Sequence, residues 1–204
     1  MLGAEQSGFI ADLGYETYQK ILEEAVDELK SDEFADLYAD SDDGKRDSGS
    51  EYVRETYIES DLELMFPPTY IPNDSERVSL YRELDKMEEE RDILAFTERL
   101  KDRFGKIPKE GKELIRIVRL RRMAKKLGME KVVLKKGQMN IILISNSESP
   151  YYQSEAFDKL LAFIQKHPRE CNLRDQNGKR SIVIKNVRTV ETACMLLEEI
   201  EKTK

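Results

Sequence analysis

The residue types that carry chemistry are few in this sequence, and they are not assembled into a constellation. His167 is the single histidine and stands directly before Pro168 at an expected helix end, the position of a surface or capping residue rather than a general base or metal ligand. Cys171 and Cys194 are the two cysteines. With no C-x-x-C spacing and no histidine beside them, they define neither a zinc site nor a disulfide framework and read as free thiols. Glu88, Glu89 and Glu90 run together at an expected helix boundary, where they form a solvated charge cluster. No G-x-x-x-x-G-K-[ST] stretch would cradle a phosphate. Gly3 and Gly8 do not supply the dinucleotide pattern, having no strand before them. No nucleophile is spaced to meet a base. The inventory is that of a binding or regulatory module rather than an enzyme, and neither a cofactor nor a metal is expected of it.

One stretch does offer a reactive surface in the electrostatic sense. Between Lys109 and Leu127, Arg116, Arg119, Arg122 and Lys126 fall close to one side of an expected helix, with Arg121 and Lys125 beside them. Such a row has three readings. It is a solvated or internally paired face, a docking surface for an acidic protein partner, or a stand-alone nucleic-acid-binding helix whose phosphate contacts make binding steeply salt-dependent. No aromatic residues lie here to stack on bases, and no helix-turn-helix spacing is evident. Arg116, Arg119, Arg121 and Arg122 are the candidate partner-binding residues.

The elements that must position these residues follow from hydrophobic periodicity. Leu114, Ile117, Val118, Met123, Ala124 and Leu127 recur at offsets of three and four, and Ile115 and Leu120 widen that face, so the basic helix has apolar neighbours on more than one side. Gly105 and Pro108 interrupt the chain before it, and Gly128 closes it. Around this central helix the sequence predicts a small α+β domain. Thr56–Phe66 approaches the alternation of an edge strand or extended arm. Pro67, Pro68 and Pro72 break it, and Asp74 or Ser75 caps a helix to about Met87, lined by Val78, Leu80, Tyr81 and Leu84. A second helix spans 89–104, with Ile93, Leu94, Phe96, Leu100 and Phe104 apolar. Val132–Leu134 and Met139–Ser145 flank a glycine-containing turn, and Cys171–Arg174 and Ser181–Lys185 flank Asn177-Gly178, giving two β-hairpins. Helices from Pro150 or Ser154 to Lys166, and from Thr189 to Lys202, complete a small antiparallel sheet covered by helices.

Ahead of that domain lie a separate helix over Phe9–Lys30 and an acidic stretch. The 204 residues carry a net charge of −7, with 37% charged and 39% hydrophobic residues, which suits a domain of modest core. The charge is lopsided: Asp27–Glu51 is acidic and Lys101–Lys136 strongly basic. Residues 31–55, with Gly44, Ser48, Gly49 and Ser50 and few apolar side chains, read as a flexible linker. No apolar run approaches the ~20 residues a membrane span needs, and the N-terminus has no basic-then-apolar leader, so a cytoplasmic location is expected. The opening MLGAEQSG looks like a piece of something longer.

Three stretches carry a resemblance to a known family. The segment from Leu100, LKDRFGKIPKEGKELIRIVRLRRMAKKLG, resembles the C-terminal domain of bacterial transcription-repair coupling factors. Phe66–Leu84, FPPTYIPNDSERVSLYREL, is similar to the family's P-x-x-Y-I-P-D segment, with Asn73 inserted before Asp74. Leu2–Gly8 resembles the end of the RecG-like translocation motif, L-L-G-x-x-Q-[ST]-G, onto which Gln6 maps as the glutamine coupling hydrolysis to movement on duplex DNA. The resemblance implies that 1–30 is the tail of a translocase motor, 31–55 a linker, and 56–204 a C-terminal regulatory domain. It implies a parent that is an ATP- and Mg-dependent DNA translocase, displacing stalled RNA polymerase and recruiting nucleotide-excision repair through UvrA. In that family the C-terminal domain packs on a UvrB-like N-terminal module and holds the motor inhibited. Residues 1–204 themselves are then expected to be non-enzymatic.

Overall fold

The computed structural model describes residues 52–176 and 179–203. The helix expected over 9–30, Gln6, most of the linker and the Asn177-Gly178 turn lie outside them. Within the compact unit Glu51–Lys204, the elements are β1 (Tyr57–Ser60), α1 (Asp74–Asp85), α2 (Glu90–Phe104), α3 (Lys109–Lys126), β2 (Met129–Lys135), β3 (Gln138–Leu143), a 3-10 turn (Pro150–Gln153), α4 (Glu155–Lys166), β4 (Cys171–Gln176), β5 (Lys179–Lys185) and α5 (Val190–Lys202). The fold is α+β, as expected from the sequence. The chain is already seated ahead of Thr56: Val53 is buried, the Tyr52 ring meets Tyr151 edge-on at 5.4 Å, and Thr56 Oγ1 donates to the Met129 carbonyl at 2.7 Å.

The two hairpins join into one sheet of order β1-β2-β3-β5-β4. β3 and β5 pair antiparallel, so the second hairpin sits beside the first. β1 adds a fifth strand at the edge, and it runs parallel to β2. A parallel pair needs a crossover, and α1, α2 and α3 supply it. The Lys135–Gln138 pair closes the first hairpin over Lys136 and Gly137, both with positive φ, the geometry of a two-residue primed turn. Lys136 accepts that conformation with its N–H donated to Asp61 Oδ2 at 2.7 Å.

Side-chain alternation separates the two faces of the sheet. Val132, Leu134, Met139, Ile141, Leu143, Ile182 and Ile184 all point to one face and are almost completely buried. α3 and α5 lie side by side in the helical layer, α3 against β2 and β1, and α4 against β4. The other face bears Glu59, Lys131, Val133, Asn140, Ile142 and Ser181, all half-buried, and Val183 at 9% exposure. No described helix covers it.

The helix ends obey side-chain capping, with one correction to the sequence reading. Asn73, not Asp74 or Ser75, caps α1, its side chain accepting from the Glu76 N–H at 2.9 Å. Asp74 is engaged instead by Arg77. Ser154 caps α4 and Thr189 caps α5 in the same manner.

Candidate interaction surfaces

Helix α3 sits at the centre because its apolar positions are so numerous: Leu114, Ile115, Ile117, Val118, Leu120, Met123 and Ala124 are all buried. That burial fixes where the arginines emerge. Each of the four candidates reaches a carboxylate of a neighbouring helix. Arg121 donates to Asp85 Oδ1 at 2.6 Å and to the Asp85 carbonyl at 2.7 Å, closing the C-terminus of α1. Arg122 donates to Glu90 Oε2 at 2.6 Å and to the Glu88 carbonyl at 3.1 Å. Arg119 grips the same Glu90 with two nitrogens. Arg116 spans Glu113 at 2.8 Å and Glu191 at 2.6 Å, joining α3 to α5. This is the internally paired arrangement.

The consequence is electrostatic. Burial pushes the Glu90 carboxyl up, but the Arg119 and Arg122 guanidiniums together outweigh it and hold the group below the usual carboxylate value. Glu90, read from sequence as part of a solvated cluster, is instead the hub tying α2 to α3. One residue that sequence reasoning passed over is Glu113. It is 7% exposed, and its Oε2 accepts the Val190 N–H at 2.5 Å, at the first turn of α5. A buried carboxylate there meets the positive end of the helix dipole. The available signal was an acidic residue on the apolar side of an amphipathic helix, which a satisfied partner must explain.

The residues that carry the family resemblance between Phe66 and Leu84 also serve the scaffold. Phe66 is fully buried, stacked on Tyr81 at 5.6 Å, and its N–H donates to the Tyr81 hydroxyl at 3.1 Å. The Tyr70 hydroxyl lies 3.1 Å from the carbonyl oxygens of both Leu100 and Gly105, at the end of α2. Arg77, 4% exposed, donates to the Ile71 carbonyl at 2.6 Å. The proline-rich segment thus replaces ladder hydrogen bonds with side-chain ones. Gly111 leaves room for it: a Cβ there would meet Ile107 at 3.0 Å and the Phe66 ring at 3.1 Å.

His167 is the C-cap residue of α4, with Nε2 3.1 Å from Glu199 Oε1 of α5 and its ring 4.5 Å from Phe163. Cys171 and Cys194 are free and buried; burial is the main cause that pushes their thiols up to about 11 and about 12. Such thiols carry little thiolate at neutral pH and are poor nucleophiles. Among the described residues, no three His, Cys, Asp or Glu side chains are grouped to hold a metal ion, and no helix is long and apolar enough to cross a membrane. What the structure offers outward is the uncovered sheet face, where Glu59 is engaged by Lys131 and, at 3.1 Å, Lys135.

Residues 60–154 match a TRCF domain. The transcription-repair-coupling factor of Escherichia coli (strain K12) is 30% identical over 175 residues, 85% of this chain and 14% of that protein. That of Mycobacterium tuberculosis (strain CDC 1551 / Oshkosh) is 30% identical over 132 residues, 65% of this chain and 10% of that one. That of Rickettsia prowazekii (strain Madrid E) is 26% identical over 192 residues, 93% of this chain and 15% of the relative. The chain therefore spans only a small part of the proteins it matches. A solved structure described as the C-terminal domain of transcription-repair coupling factor superposes with a TM-score of 0.60 at 15% identity, covering 72% of this chain and 92% of that one. At that identity the likeness speaks for the fold.

Proposed function

The chain carries a TRCF domain and belongs to the transcription-repair coupling factor family, and from that premise we propose that residues 56–204 are its autoinhibitory docking domain. The parent is an ATP- and Mg-dependent DNA translocase of the cytoplasm that displaces stalled RNA polymerase and recruits excision repair. This domain rests on the parent's UvrB-like N-terminal module and masks the surface that UvrA uses. Gln6 belongs to the motor's translocation motif and needs the rest of that motor to act. Residues 1–204 turn over no substrate.

The observation that carries the reading is the five-stranded sheet with helices on one face and none of the described helices on the other. A sheet face with half-buried Val133 and Ile142 at its centre is a surface suited to being covered by another protein. Tethering to the motor supplies a high local concentration, so a weak interface suffices and is readily released. The arginines of α3, already paired, seat that helix rather than meet DNA. The test is titration of the separately produced N-terminal module into this chain at low salt by calorimetry. Saturable one-to-one binding supports the proposal; absence of heat and of co-elution refutes it.

A further inference from the structure

The uncovered face has a sign as well as a shape. Strand register places Lys131 and Lys135 of β2, Lys179 and Lys185 of β5 and Arg174 of β4 on it, against the single carboxylate of Glu59. These are five cations and one anion on one face of a chain whose net charge is −7. Glu59 is itself held below the usual carboxylate value by Lys131 and Lys135, so it stays ionised while spending its charge on two of the five. Asp61, just past β1, is taken up by the Lys136 N–H. Between the cations the centre is neutral: Val133 registers with Asn140, Asn140 with Val183, and Ile142 with Ser181. Asn140 Oδ1 is buried there without a hydrogen-bond partner.

Resting on the docking reading above, we infer that this sheet face is the contact surface and that it takes an acidic protein surface, one presenting carboxylates around an aliphatic centre and an N–H or O–H donor toward Asn140. The cations ring the patch where rim charges steer encounter and set register, and the aliphatic centre supplies contact area. A nucleic acid is the less suited occupant. Its single strands need rings on which to stack, and the centre of this face holds Val133, Ile142 and Val183, with one exposed aromatic, Tyr57, on the edge strand. A duplex backbone offers nothing apolar to cover those three side chains.

The experiment uses the whole 204-residue chain, isotopically labelled, with three probes at matched ionic strength: the parent's N-terminal module, a (dT)12 strand and a duplex of similar charge. Module binding is expected to shift the amides of Val133, Asn140, Ile142, Ser181 and Val183, and to weaken about tenfold or more in R174E/K185E, and less in R174Q/K185Q. The melting temperature serves as the folding control, and the neutral pair keeps the test open where charge reversal disturbs folding. Module binding with unchanged affinity in both variants, or with shifts confined to α2, α3 and α5, overturns the inference and leaves the docking reading intact. Binding of either nucleic acid more tightly than the module, lost in the same variants, replaces the protein partner with a nucleic acid. Failure of the unmodified chain to bind the module overturns both.

Discussion

Glu113 is the side chain on which the arginine row depends most. In Glu113→Ala the Val190 N–H loses its acceptor, a loss of the size of a removed helix cap, about 1 kcal/mol. Arg116 loses one of its two carboxylates, and because it is 27% exposed and retains Glu191, that loss is discounted to about 0.5–1 kcal/mol. Removing a nearly buried stem at the α3–α5 contact adds about 1 kcal/mol. The sum is about 2.5–3 kcal/mol, which for a domain of this size lowers the melting temperature by roughly 5–12 °C. Glu113→Gln keeps an oxygen for Val190 and loses only the charge, so its effect is expected to be less than half as large. Urea titration followed by circular dichroism measures both. An alanine variant within 1 kcal/mol of the parent sequence, or a glutamine variant as damaging as alanine, refutes the reasoning that this carboxylate joins α3 to α5.

Two further outcomes follow from the same geometry. At Gly128, φ is +70° and a Cβ would sit 2.3 Å from the fully buried Tyr151 ring. Gly128→Ala thus combines left-handed strain with overpacking, about 2–4 kcal/mol, whereas Gly137→Ala, at the same φ with its nearest contact at 3.6 Å, carries the strain alone, about 1 kcal/mol; equal losses in the two variants would contradict this. Glu90, whose carboxyl is held low, gives stability that is present above the ordinary carboxylate value of 4.5 and is lost as pH falls through its lowered value. An acid titration of stability should therefore be shallower in that window for Glu90→Gln, and an unchanged profile would show that the Arg119 and Arg122 contacts do not hold in solution.

Much of the fold was legible because its elements are strongly periodic. α3 and α5 bury the side chains their patterns point inward, apart from the half-buried Leu196, and the glycine-containing turn after β2 fixes the first hairpin. The fifth strand was legible only as alternation. That β1 joins in parallel across three helices is a long-range pairing, and nothing local encodes it. Leu94 looked like part of the α2 core yet is 55% exposed, because Ile93, Phe96 and Leu100 already complete the buried stripe. The candidate site was half legible. The arginines were visible, but their acceptors lie about thirty residues or more away, at Asp85, Glu88, Glu90 and Glu191, except for Glu113 one turn distant. A row of cations on a helix reads the same whether it is waiting for a partner or already paired. The cationic sheet face was hidden for a related reason: its five charges come from three strands, and only register brings them together.

The central claim is that a compact domain without a reactive centre latches the motor of its parent. It is tested most directly by measuring UvrA binding to the full-length parent before and after deletion of residues 56–204, with ATP turnover followed in the same preparations. Unmasking predicts a gain in UvrA affinity together with faster turnover on removal of the domain. Unchanged affinity and unchanged turnover, with a lowered melting temperature as the sole effect, would contradict the latch and leave a domain that only stabilises its parent.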